Sequence, residues 1–223
     1  MSIEPRAIKV WDLPTRLFHW GLVLAVIGLV ATGKAGGDWV TWHARLGHVA
    51  GSLVLFRIAW GFAGGRWSRF TAFPPSPRLA LAYLKQGSPV PHVGHSALGA
   101  LSVYAMLLFL AVQVGTGLAS ANKDDFAGPL VQFLSNDVVS ASSRYHRNIG
   151  QWVLIGLVVL HVAAIAYYQW ALRRNLTAAM LHGWQVAPSD TAGSRDDALT
   201  RVLALALFAS CAGFFYWIAS LGG

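Results

Sequence analysis

Eight histidines stand in a chain of 223 residues, of which 55% are hydrophobic and only 12% charged. Four of them, His19, His43, His146 and His161, fall inside long apolar stretches. An ionisable side chain there is costly and marks a functional site by default. Neutral imidazoles in pairs suit the two axial positions of a low-spin haem iron. An iron ligated in this way keeps no open position for a substrate, so the expected chemistry is electron transfer rather than reaction at the metal. The single cysteine, Cys211, sits in an apolar run and no C-x-x-C-H occurs. Any haem is therefore held by ligation and packing, without thioether bonds.

Histidines in such places need helices to carry them. Five stretches, approximately 15–33, 43–63, 96–120, 146–171 and 199–221, are long and apolar enough to cross a hydrocarbon core, which takes about 20 helical residues. The expectation is an all-α integral membrane protein: a four-helix bundle holding two haems over residues 1–185, a flexible linker over 186–198, and an additional transmembrane helix over 199–223. The linker is expected because the residues from Pro188 to Asp197 are small and polar. Trp11-Asp-Leu-Pro14 reads as a helix entry, with Asp12 able to cap and Pro14 in the first turn. That keeps the first span in the mature protein instead of in a cleaved leader. Residues 78–84 and 176–181 read as short interfacial helices or as ordinary connectors. No internal repeat is evident.

The net charge of +8 and pI near 10.2 come from basic residues scattered singly between apolar runs, which argues against nucleic acid and for membrane topology. With the N-terminus inside, Arg6, Lys9, Arg16, Arg57, Arg66, Arg69, Arg78, Lys85, Arg173, Arg174, Arg195 and Arg201 lie in or near the cytoplasm, twelve of the seventeen basic residues. Lys34, Arg45, Lys123, Arg144 and Arg147 then lie outside, with Asp38, Asp124, Asp125 and Asp137. The expected topology is that of a membrane protein with the N-terminus cytoplasmic and the C-terminus outside. An acidic outer rim would steer a basic soluble partner towards the outer haem.

In this orientation His19 and His161 lie towards the inner surface, and His43 and His146 at the outer one. Each pair is expected to ligate one haem iron. Fifteen residues separate His146 from His161, about 22 Å and about 60° of rotation along an unbroken α-helix. Gly47 and Gly150 follow His43 and His146 by four residues, one turn along the same face, where a missing side chain lets a flat macrocycle approach. Close helix packing is the other reading of these glycines. His48 points about 140° away from His43 around the helix, so only one of the two serves; the glycine pattern favours His43. His95 reads as an interfacial hydrogen-bonding residue, and His92 and His182 as exposed. Arg45, Arg144 and Arg147 near the outer pair, and Arg16 and Arg57 near the inner, are candidates to pair with haem propionates or to snorkel to lipid headgroups.

Val10-Trp-Asp-Leu-Pro-Thr-Arg-Leu-Phe-His-Trp20 with Thr32-Gly33 resembles the opening of the bacterial cytochrome b-561 and nickel-iron hydrogenase b-type cytochrome family. His43-Ala-Arg-Leu-Gly47, Phe56-Arg-Ile-Ala-Trp-Gly61 and Arg69-Phe70 resemble its second helix and following loop. Gly94-His-Ser-Ala-Leu-Gly-Ala100 with Thr116-Gly117 resembles its third helix, and Leu160-His-Val-Ala-Ala164 its fourth. The resemblance covers residues 10 to about 185. It implies two non-covalent haem b groups on the four histidines named above, and it supports His43 over His48. It also implies electron transfer between the quinone pool and a periplasmic partner such as a c-type cytochrome. Two other roles are open: anchor subunit of a larger oxidoreductase such as a nickel-iron hydrogenase, or stand-alone superoxide:quinone oxidoreductase. The chain departs from the family pattern at two points. The spacing from His146 to His161 is one residue longer, and Arg147 stands where an acidic residue is common. The fifth span lies outside the resemblance.

Overall fold

The computed structural model describes residues 5–86, 93–122 and 126–222; His92, Lys123, Asp124 and Asp125 lie outside them. It is almost wholly helical. A short strand β1 (Pro5–Lys9) leads into α1 (Leu13–Ala35) and α2 (Trp39–Ala63), followed by α3 (Pro77–Gln86) and α4 (Ala97–Leu118). Next come α5 (Asn136–Arg144), a π-turn over Tyr145–Gly150, α6 (Gln151–Trp170), α7 (Leu176–His182), strand β2 (Trp184–Pro188) and α8 (Ala198–Ser220). Five helical stretches are long and apolar enough to cross a membrane: α1, α2, α4, the continuous run Asn136–Trp170, and α8. Their outward side chains are apolar, with Leu24 at 71%, Phe62 at 73% and Trp170 at 74% exposure, as expected where the solvent is lipid. The two short helices read from the sequence are present as α3 and α7.

The chain divides into two compact units. The first comprises residues 1–17, 58–106 and 157–204. Here β1 pairs antiparallel with β2, Pro5 opposite Pro188 and Lys9 opposite Trp184. Ile8, Val10, Trp11, Ala179 and Ala187 form a small core beneath the strands. Gly183 closes α7 with φ +89°, and its carbonyl accepts from the Val10 and Trp11 N–H groups; a side chain is disfavoured at that φ.

The residues expected to be a flexible linker are tied to this layer. Ser194 donates to the Val10 carbonyl at 2.8 Å, and Asp196 accepts from Lys9 (2.9 Å), the Leu13 N–H (3.2 Å) and Arg201 (3.1 Å). Small polar residues lowered the apparent ordering tendency, but these partners from the N-terminus supply it. Burial pushes the Asp196 carboxyl up, while the bonds from Arg201, Lys9 and Leu13 outweigh it and hold it below the ordinary carboxylate value. A depressed folded pKa stabilises above the unfolded value, about 3.9, and that stability is lost as the pH falls through the folded one. Thermal unfolding of Asp196→Asn should show a deficit that is constant near neutrality and shrinks below about pH 4.

The second unit comprises residues 18–57, 107–156 and 205–223. In it α8 packs on α2. Phe208 meets Phe56 at 5.9 Å between ring centroids, and Phe215 fills the notch at Gly51, where a Cβ would overlap its ring. Phe215 also lies 6.4 Å from the His48 ring. The fifth helix thus belongs to this unit from Leu205 onward, its first residues to Ala204 belonging to the first unit.

Candidate functional site

Within the second unit, His43 from α2 and His146 from the π-turn come together. Their ring centroids are 6.0 Å apart and the planes nearly perpendicular at 87°. Each ring hangs on a carbonyl of the preceding long helix. His43 Nδ1–H donates to the Leu29 carbonyl at 3.0 Å, with Thr32 Oγ1 at 3.3 Å; Thr32 itself donates to the Gly28 carbonyl at 2.7 Å. His146 Nδ1–H donates to the Gln113 carbonyl at 2.9 Å.

The two cradles are built alike. Each accepting carbonyl lies four residues before a glycine of a Thr-Gly pair, Thr32-Gly33 in α1 and Thr116-Gly117 in α4. A Cβ on Gly33 would stand 3.1 Å from His43 Cε1, and one on Gly117 2.9 Å from His146 Cε1. These glycines let the imidazoles lie against the helix backbone. The symmetry is local and comprises few residues, which is why no sequence repeat announces it.

Carbonyl bonds at both Nδ1 atoms set the tautomer, leaving each Nε2 with a lone pair for a metal. With their Nδ1 atoms turned to carbonyls and their rings 6.0 Å apart, His43 and His146 are the two side chains of this unit that would hold a haem iron between them. Among the described residues no three His, Cys, Asp or Glu side chains converge into a metal cluster, so the ligation on offer is that of a pair.

The glycines expected beside a macrocycle differ. A Cβ on Gly47 would meet nothing within 4 Å, whereas the space at Gly150 holds the Gln113 amide. The π-turn also alters the expected rotation of about 60°, which assumed an unbroken α-helix. A π-turn takes up one extra residue relative to an α-helix.

The remaining candidates are dispersed. His48 donates from Nδ1 to the Ala44 carbonyl at 2.8 Å, four residues back, and its ring faces α8. His19, in the second unit, stands edge-on to Trp20 at 5.0 Å; His161 lies in α6, in the first unit. His95 is packed against Phe73 (4.2 Å) and Trp11 (4.7 Å), and exposed His182 accepts from the Trp184 N–H. Arg45 lies over the Trp42 ring, Arg144 and Arg147 are exposed, Arg57 is buried, and Arg16 donates to the Leu181 carbonyl. Sequence reasoning passed over Gln113. Its signal was a primary amide inside an otherwise apolar span.

The sequence profile described as prokaryotic cytochrome b561 matches residues 10–183. Among curated relatives, the probable Ni/Fe-hydrogenase B-type cytochrome subunit of Azotobacter vinelandii is 25% identical over 219 residues, covering 82% of this chain and 90% of the relative. The protein of the same name from Rhodobacter capsulatus is 24% identical, covering 85% and 86%. That from Cupriavidus necator is 23% identical, covering 81% and 87%. No solved structure matches the chain significantly. The profile takes in all four intramembrane histidines and both Thr-Gly cradles, and the chain belongs to the prokaryotic cytochrome b561 family: it is a multi-pass bacterial membrane cytochrome of the b type, carrying haem b for electron transfer.

Proposed function

We propose that this cytochrome holds two haem b groups and passes electrons between the quinone pool and a periplasmic redox partner such as a c-type cytochrome. The observation that carries the proposal is the His43–His146 pair, 6.0 Å apart with both Nδ1 atoms committed to carbonyls. The second pair, His19 and His161, rests on the sequence. Haem b would supply one-electron redox chemistry, with the imidazoles of His43 and His146 holding its iron. The chain's own part is orientation: bonds from Nδ1–H to carbonyls fix each ring and raise its basicity as a ligand. Gly47 leaves room beside His43. Arg45, Arg144 and Arg147 would pair with the propionates of one haem, and Arg16 and Arg57, by their places in the sequence alone, with those of the other. By the distribution of basic residues the N-terminus is cytoplasmic and the C-terminus periplasmic, which puts the His43–His146 haem on the periplasmic side.

Purified protein should contain about two haems per chain and give a low-spin bis-histidine spectrum in both oxidation states. Acid acetone should extract all of the haem, since no cysteine pair can form thioethers. A ratio near one sinks the two-site proposal. The relatives' names favour a second reading, in which the chain is the membrane anchor and electron-transfer subunit of a hydrogenase-like enzyme. Purification in mild detergent separates the two, since a catalytic subunit recovered in equal amount decides for the second.

A further inference from the structure

Gln113 is bonded to His146 twice, in opposite senses. Its backbone carbonyl accepts from the His146 ring at 2.9 Å, and its side-chain Nε2 donates to the His146 carbonyl at 3.0 Å. The second bond matters because of where it falls. His146 lies in the π-turn Tyr145–Gly150, a winding that is rare inside α-helices and frequent at functional sites. A side-chain donor arriving from α4 meets a carbonyl inside that turn. The amide fits only because residue 150 is glycine: a Cβ there would overlap Gln113 Oε1 and lie 2.7 Å from the Tyr145 ring. Gln113 Oε1 itself is buried with no partner among the described residues. A buried acceptor left unmet is a cost, so the amide is placed for what its nitrogen does. Leu29, which offers the matching carbonyl to His43, has no side-chain donor, and the second contact of that ring comes from Thr32 Oγ1 at 3.3 Å.

We propose that Gln113 is a positioning residue for the His43–His146 haem, holding the backbone and the ring of His146 together so that the π-turn presents Nε2 in one direction. The inference rests on His146 being an axial ligand and adds what aims it. Removing the amide leaves the ring bond to the Gln113 carbonyl but frees the turn that carries the ring.

The test uses the purified holoprotein with Gln113→Leu and Gly150→Ala. The first removes the donor at similar bulk; the second leaves the amide in place but fills the notch it occupies. Each should loosen the haem at this site by about ten- to a hundred-fold, as is typical for groups that orient a metal ligand. Each should also shift that haem's midpoint potential and low-spin resonance signature, with the other haem unaltered as a check on folding. Because both act on one clamp, the double variant should be no worse than the more damaging single one. His146→Ala separates the two levels of the inference: if it leaves haem content unchanged, the ligand assignment fails. If it removes one haem while Gln113→Leu and Gly150→Ala leave affinity within twofold and the resonance signature unmoved, the positioning role is overturned.

Discussion

His43→Ala and His146→Ala are each expected to lower haem content from about two per chain to about one, and to remove the same haem. The two rings are one site by distance, 6.0 Å between centroids, and a haem that His43 and His146 held together would lose half of its protein ligation with either. His161→Ala and His19→Ala should take the other haem and leave the first. His48→Ala should keep both, since the His48 ring turns to Phe215 on α8 and its Nδ1 is committed to the Ala44 carbonyl on its own helix. Haem-to-protein ratios and separate redox titration of the remaining haem read this directly. Loss of a haem in His48→Ala but not in His43→Ala would overturn the choice of ligand on α2.

The long helices were legible because hydropathy is a local property that needs no partner. Asp12 and Pro14 marked the start of α1 for the same reason, since cap and first-turn preferences act within a few residues. Non-local bonds were not legible. Strand β1 exists only because Trp184–Pro188 comes back to pair with it, and five residues with no alternating pattern do not suggest a strand on their own. The residues from Pro188 to Asp197 read as loose for the same reason, their partners being Lys9, Val10 and Leu13.

The candidate site divides in the same way. Depth along the spans suggested that His43 and His146 lie at one level. The carbonyls of Leu29 and Gln113 that hold the rings are backbone groups, which residue types do not reveal. The π-turn over Tyr145–Gly150 was not read from the sequence, where residues 146–171 were taken as one unbroken helix. The side chain that bonds a carbonyl inside it belongs to Gln113, 33 positions away in the chain. Gly150 shows the limit of spacing arguments. Its place one turn after a histidine suggested room for a macrocycle, and that room holds an amide.

Asp12→Ala should be the most destabilising single change outside the haem ligands. Asp12 has no solvent exposure and is surrounded by donors. Oδ1 accepts from the Thr15 N–H at 2.8 Å, Oδ2 from Ser68 Oγ at 2.8 Å and from the Gly65 N–H at 3.2 Å, and the Trp60 indole N–H lies 3.3 Å from both oxygens. Since the Ser68 hydroxyl is spent on Asp12, Thr15 Oγ1 donates to Ser68 at 2.7 Å and extends the network. One carboxylate therefore ties the start of α1 to the end of α2 and the loop beyond it. Were Asp12 only a helix cap, its loss would cost about 1 kcal/mol. Leaving several buried donors unmet costs about 1–3 kcal/mol for each group, so a total of about 3 kcal/mol or more is expected. Asp12→Asn should also be costly, because the amide nitrogen would face a donor where only an acceptor fits. Asp12→Ser distinguishes the two roles, as serine caps a helix well but cannot reach Trp60, Gly65 and Ser68 together. Thermal unfolding in detergent should place Asp12→Ser near Asp12→Ala; recovery to within about 1 kcal/mol of the parent would reduce Asp12 to a cap.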